Sequence, residues 1–416
     1  MQNKKLLVVA IGAALAIPCA YAQKGSGKKD AGAEPDQVVE LYGKAYPEWI
    51  LPKSGNGPTP AGTTVSSITN GTPTGQPSII QRNEIQAPNT RLGVRGHEKL
   101  GRGGLKAIFQ LETEFRIDQN NTAFATRDSF VGLTHDAFGT IKLGRMDTPF
   151  KTFGDDISFL GISSGNFVSS SNLLRKTGNG TSGSSSFHLR RANAVMYESP
   201  EIAGFSAAAQ YSTDETDTAT RHPHVWSFGV KWEGGPFEAA VAYEKHWDLF
   251  GGSNNAPSAL RNTNDQSVRS KDKATQVMLK YKLGNHQFEA DYNWKQYDEN
   301  PPNLLGSPVR FRQYKNTAWE VIWDARWSRS FRTQVEYIKA NKGTCALVNR
   351  ACSTEGLDGW QFQVGAAYYF SSRTYIFAIA AILHNGFSAQ YNNSDSQAPS
   401  IGEGINQYAV GISHSW

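Results

Sequence analysis

The sequence predicts an all-β chain: a sixteen-stranded antiparallel barrel crossing an outer membrane, with short periplasmic turns and long extracellular loops. Three observations predict it. After residue 38, apolar and polar residues alternate in stretch after stretch. The connections between those stretches alternate between a few residues and ten to forty, so the two strand ends face different environments. A secretory leader precedes the pattern, and an aromatic residue, Trp416, ends it.

Residues 1–22 read as a cleaved signal peptide. Lys4 and Lys5 form its charged start, Leu6 to Ile17 its apolar centre, and Ala20-Tyr21-Ala22 the small-x-small cleavage site. Cys19 follows Pro18, which fits lipoprotein processing badly. Residues 23–37 form a Lys/Gly/Ala/Asp-rich extension, expected to be flexible. The barrel is expected over 38–416.

Period-2 alternation identifies the strands. Leu105, Ala107, Phe109, Leu111, Thr113 and Phe115 interleave with Lys106, Ile108, Gln110, Glu112 and Glu114. Phe288, Ala290, Tyr292 and Trp294 alternate with Glu289, Asp291, Asn293 and Lys295. Thr317, Trp319, Val321, Trp323, Ala325 and Trp327 share one face, with Ile322 an intruder on the other among Glu320, Asp324 and Arg326. Such runs are long enough for tilted strands to cross a bilayer, and their apolar faces end in aromatic belts.

Short turns are expected near His97–Gly103, Asp136–Gly139, Ser199–Gly204, Glu233–Pro236, Leu283–His286, Ser328–Ser330 and Ser371–Arg373. Long connections are expected near 50–88, 116–126, 147–187, 213–224, 247–273, 298–314, 341–358 and 385–404. Seven turns and eight loops imply sixteen strands. The stretches near 127–146 and 374–384 alternate poorly. Closure removes sheet edges, which lipid cannot satisfy, and sixteen strands leave a lumen too wide for side chains to fill.

Composition excludes other classes. No apolar run after the leader is long enough for a membrane helix. Mean hydropathy is negative, as a polar lumen produces. The formal charge of +5 falls to +3 without the two leader lysines, too little for nucleic acid. Cys345 and Cys352 sit in one loop facing an oxidising compartment, which predicts a local disulfide. Gly178 to Gly183 spells G-x-G-x-x-G in a Ser-rich loop, without the flanking strand and helix that a dinucleotide site needs. His222-Pro223-His224 offers two metal ligands without a third, so neither metal nor cofactor is expected.

In order and spacing the strands resemble the trimeric general porins of Gram-negative outer membranes. The resemblance lies in Leu41-Tyr42-Gly43-Lys44, Thr90 to Gly96, Leu105 to Phe115, Arg127 to Leu133, Leu143-Gly144-Arg145 and Tyr408 to Trp416. It extends over nearly all of 38–416; Trp416 stands where the family usually ends in Phe. The resemblance implies a homotrimer in contact with outer-membrane lipid and lipopolysaccharide, passing small hydrophilic solutes and ions without catalysis. It also implies a third loop, 147–187, folded into the barrel to form a constriction. Carried over, the acids of that loop are Asp155 and Asp156, with Asp147 a third candidate. The opposing basic wall is Lys44, Arg91, Arg127 and Arg190, with Arg191 the alternative one register away. Arg91 also follows from alternation, sharing a polar face with Gly93, Arg95 and His97 opposite Leu92 and Val94.

Ion preference stays open at this level. The basic wall favours anions, whereas Glu112, Glu289, Asp291, Glu320 and Asp324 on expected lumen faces favour cations. A substrate-selective channel on the same fold, a barrel enzyme and a plugged adhesin are the alternatives.

Overall fold

A computed structural model describes residues 36–101, 103–118, 123–154, 156–160, 167–303, 306, 308–393 and 397–416. The signal peptide and nearly all of the extension lie outside the described residues. The strands are β1 (Gln37–Ala45), β2 (Glu48–Ser54), β3 (Glu84–Gln86), β4 (Arg91–Lys99), β5 (Lys106–Glu114), β6 (Ser129–His135) and β7 (Gly139–Asp147). They continue as β8 (Arg190–Glu198), β9 (Phe205–Thr213), β10 (His224–Gly234), β11 (Phe237–Trp247), β12 (Ser270–Leu283) and β13 (His286–Glu299). The last six are β14 (Arg310–Arg326), β15 (Phe331–Ala340), β16 (Thr344–Val348), β17 (Gly359–Tyr369), β18 (Thr374–Asn385) and β19 (Ile405–Ser415).

All the pairings are antiparallel, and the sheet closes on itself. Three of the nineteen strands continue another strand's crossing, which leaves sixteen crossings. The first crossing is β1 plus β2, interrupted at Tyr46-Pro47, where proline brings no N–H to the ladder. Its lower half pairs with β4, from Gln37↔Glu98 to Lys44↔Arg91. Its upper half pairs with β19, from Glu48↔Gly411 to Ser54↔Ile405, and that pairing closes the barrel. β3 and β4 together make the second crossing. β15 and β16 both pair with β14 and are separated at Asn341–Gly343. Gly343 has φ +69 there, a left-handed conformation that glycine adopts without cost.

Connections match the expected rhythm: β10 and β11 are joined by Gly235-Pro236, and β12 and β13 by Gly284-Asn285, while β11 and β12 are separated by residues 248–269. Outside, Leu41, Val131, Leu143, Val241, Leu279 and Val410 are exposed and form an apolar belt. That exposure is stable only against hydrocarbon.

The interior is asymmetric. After β7, a one-turn helix α1 (Pro149–Phe153) opens the third loop, and the loop then runs along the inner wall from β10 to β18. The Phe150 N–H donates to Ser227 Oγ at 2.9 Å, and the Phe153 ring occupies the space that a Cβ on Gly229 would need. The N–H groups of Asp156 and Ile157 donate to Glu289 at 3.2 and 3.0 Å. Tyr375 Oη donates to the Leu160 carbonyl at 3.0 Å, and Gln363 Nε2 to that of Val168 at 2.7 Å.

Phe159, Leu160 and Phe167 pack with Tyr375, Phe377 and Ile379, each large apolar side chain contributing about 1.5–3 kcal/mol by burial. This packing explains the weak alternation of 374–384. The inward face of β18 meets an apolar loop segment rather than water, so both faces are apolar.

Arg175 is fully buried and ties the two limbs of the loop together. Its Nε donates to Gln276 Oε1 on β12 at 2.9 Å, and its Nη2 to the Gly154 carbonyl. The long first loop is fastened within its own barrel: Asn70 N–H donates to the Asn179 carbonyl at 2.7 Å, and Ser66 Oγ to that of Ser353 at 2.8 Å. Cys345 and Cys352 are bonded to each other just before that serine.

Candidate pore constriction

The four basic residues singled out in the sequence are spread over 147 positions, yet the barrel gathers them on one stretch of wall. Lys44 is the last residue but one of β1, Arg91 starts β4 directly opposite it, Arg127 precedes β6, and Arg190 starts β8. Like charges facing each other across a strand pair repel. Glu112 on β5 offsets that repulsion. Its carboxylate pairs with Arg127, lies 4.0 Å from Arg91 Nε, and accepts a 2.9 Å hydrogen bond from Tyr42 Oη. The Lys44 ammonium sits 4.9 Å above the Tyr46 ring, a cation–π contact.

Arg190 anchors the other half of the cluster. It binds Asp128 at 2.5 Å and Asp147 at 2.9 Å. Lys151, one helical turn after Asp147, binds the same carboxylate at 2.9 Å. The Asp147 N–H donates to Asp128 Oδ1 at 3.2 Å. Burial pushes Asp128 above the usual carboxyl range, with the neighbouring Asp147 charge adding to it and Arg190 opposing. Burial lowers Lys151 from the usual lysine value, with Asp147 opposing. Arg191 points elsewhere, to Asp214 at 3.2 Å.

The acids of the third loop stand differently. Asp155 lies outside the described residues. Asp156 pairs with Lys280 on β12, whose ammonium also meets Glu238 on β11. Its carboxylate is thus engaged with the wall on which the loop rests.

Most of the remaining inner acids are covered. Glu289, Asp291 and Glu320 lie behind the loop at 2%, 3% and 1% exposure. Asp324 is bound by Arg332 at 2.7 Å. The basic stretch lies on the β1 to β8 side, where Arg91 keeps 32% of its side chain exposed while Lys44, Arg127 and Lys151 are buried at 8% exposure each. Five cations (Lys44, Arg91, Arg127, Lys151 and Arg190) thus stand with three carboxylates (Glu112, Asp128 and Asp147) in one cluster, Lys151 being contributed by α1.

Asp128, Lys151, Tyr42 and Arg175 escaped sequence reasoning. For Lys151 a signal was present: Thr148-Pro149 is a helix-start pair, and a helix there places Lys151 one turn from Asp147. For Arg175, held by Gln276 101 positions on and by the Gly154 carbonyl on the other limb of the loop, there was none.

Comparison with known proteins adds the following. The model of the Gram-negative porin family matches residues 8–388. A major outer membrane protein P.IB from Neisseria gonorrhoeae is 28% identical over 310 residues, covering 74% of this chain and 81% of that protein. Its counterpart from Neisseria lactamica is 26% identical over 308 residues, covering 74% and 80%. An anion-selective porin from Comamonas acidovorans shares the fold with a TM-score of 0.64 at 19% identity, over 91% of this chain and 100% of that one. The trimer form of OmpT from Vibrio cholerae does so with a TM-score of 0.59 at 14% identity, over 92% and 100%.

Proposed function

The chain belongs to the Gram-negative porin family, and from that premise we propose that its outer-membrane channel passes small hydrophilic solutes with a preference for anions. A water-filled barrel in the outer membrane transports by passive diffusion, and no bond is made or broken. The observation that carries the preference is the excess of cations, five against three carboxylates, in the cluster around Arg91 and Arg190, set against Glu289, Asp291 and Glu320 buried behind the third loop. In a narrow aqueous neck, that excess raises the local anion concentration and opposes cations. The salt-bridged arrangement also holds the guanidinium groups in place, so a carboxylate or phosphate solute meets preoriented donors.

The basic-wall roles of Lys44, Arg91, Arg127 and Arg190 belong to this reading, as does assembly into a homotrimer. The trimer form solved for OmpT, on the same fold, supports the assembly. Asp156 acts here chiefly as a fastener of the third loop, through Lys280.

Single-channel recording in a planar bilayer under a salt gradient tests the proposal. Expected are large conductance steps closing in thirds and a reversal potential of anion-selective sign. A cation-selective sign would overturn the preference, and single-step closure would overturn the trimer.

A further inference from the structure

Below the basic cluster, toward the short-turn end, the inner faces of β1, β4, β5 and β6 line up two rows of side chains. Register places Glu40↔Arg95, Arg95↔Gln110 and Gln110↔Phe130 in the upper row. The lower row is Val38↔His97, His97↔Ile108 and Ile108↔Gly132. On a polar inner wall these rows hold an apolar island. The Phe130 ring packs on Met146, Ala194 and Met196 yet stays partly exposed, as do Val38 and Ile108. Gly132, two positions along β6 from Phe130, brings no side chain to cover the ring. The side chains of the two rows line a hollow of 250 Å³. A cavity of about 150 Å³ is enough to hold benzene.

Two cations frame the hollow. Lys142 on β7 stands 4.9 Å over the Phe130 ring and binds Glu198 at 2.7 Å. The Arg95 guanidinium lies 4.7 Å over the Tyr42 ring, and 52% of its side chain is exposed. Its Nε donates to Glu40 at 2.8 Å, while its two Nη groups make no hydrogen bond among the described residues. A planar guanidinium with free donors, set beside an exposed aromatic ring, is complementary to a carboxylate carried on a flat apolar ring.

We propose that this hollow is a subsite for small aromatic carboxylates, through which such solutes pass after the basic cluster. The solute ring lies against Phe130, Ile108 and Val38, and its carboxylate accepts from the Nη groups of Arg95. An anion is favoured over an aromatic cation because Arg95 stands between Glu40 and Phe130 in the row, and Lys142 lies over the same ring. An aromatic solute is favoured over an aliphatic one because ring–ring contact with Phe130 adds to the burial of apolar surface. The proposal rests on the anion-preferring channel reading and names a solute class for it. Conductance does not enter its test, so failure here leaves the channel reading standing.

The test is saturation-transfer difference NMR on the full mature protein in detergent micelles, titrated with benzoate, cyclohexanecarboxylate and benzylamine. Benzoate is expected to bind tightest of the three. Phe130→Leu is expected to weaken benzoate roughly five-fold while barely changing cyclohexanecarboxylate. Arg95→Gln is expected to weaken both carboxylates on the order of ten-fold. Lys282→Gln, on β12 and away from the hollow, is expected to bind like the wild type. Undiminished benzoate binding by Arg95→Gln would overturn the site. Should the variants fail to fold, the wild type still decides. Cyclohexanecarboxylate binding as tightly as benzoate overturns the aromatic reading, and benzylamine doing so overturns the anionic one.

Discussion

Replacing Arg91 and Arg127 by glutamine together is the sharpest probe of the basic wall. It leaves three cations against three carboxylates in the cluster, removing the local excess. For an ion about 8 Å from each guanidinium, Coulomb's law in water gives about 0.5 kcal/mol per charge. One Debye length of screening at physiological salt leaves about 0.2 kcal/mol. Two charges then contribute about 0.4 kcal/mol, with opposite sign for anions and cations, so the anion-to-cation permeability ratio falls roughly four-fold. Glu112 keeps its hydrogen bond from Tyr42. The assay is the reversal potential across a bilayer under a salt gradient, compared with the wild type in the same solutions. A potential unchanged by the double substitution would refute the reasoning, because it would put both guanidinium groups outside the ion path.

Three further outcomes are expected. Arg175→Met removes the clamp between Gly154, Gln276 and the returning limb of the third loop, costing on the order of 3 kcal/mol; single-channel conductance should rise and become noisy, and an unchanged trace would argue against the clamp. His188, fully buried near Lys151, Arg175, Lys176 and Arg190, has its pKa driven well below the ordinary histidine value, by burial first and then by those cations. It is neutral in the fold, so its contribution is complete above pH ~6.5, the unfolded value, and is lost progressively as pH falls below it. The drop in thermal midpoint between pH 7 and pH 5 should therefore shrink in His188→Gln, and an identical drop would rule His188 out as its source. Replacing Cys345 and Cys352 by serine releases a ring of sequence separation 7, worth about 2 kcal/mol in the chain-entropy model; limited proteolysis should then cut within 341–358 while the barrel persists, and resistance equal to the wild type would contradict this.

Alternation read the strands well where one face meets lipid and the other meets water, as in Phe288 to Lys295. It read them poorly in 374–384, where Tyr375, Phe377 and Ile379 turn inward onto Phe159 and Leu160. Ile322, an intruder on a polar face, is likewise buried at 3% exposure. The misfit of 374–384 has a plain cause: that part of the inner wall touches the third loop rather than solvent. The site was legible in proportion to its dependence on strand position. Arg91 followed from parity and Arg190 from spacing, whereas the Glu112 hub needed β1, β4 and β5 laid side by side.

The linear chain settles the barrel itself. Strand period, connection length and chain-end signals are local properties, and in a lipid environment only a closed sheet satisfies the backbone they imply. Tertiary structure decides the charge that a solute meets. Whether Glu289, Asp291 and Glu320 or Arg91 face the open lumen depends on the course of the third loop from β10 to β18. That course is set by contacts between residues more than 70 positions apart, such as Phe150 with Ser227 and Leu160 with Tyr375, which no local pattern encodes.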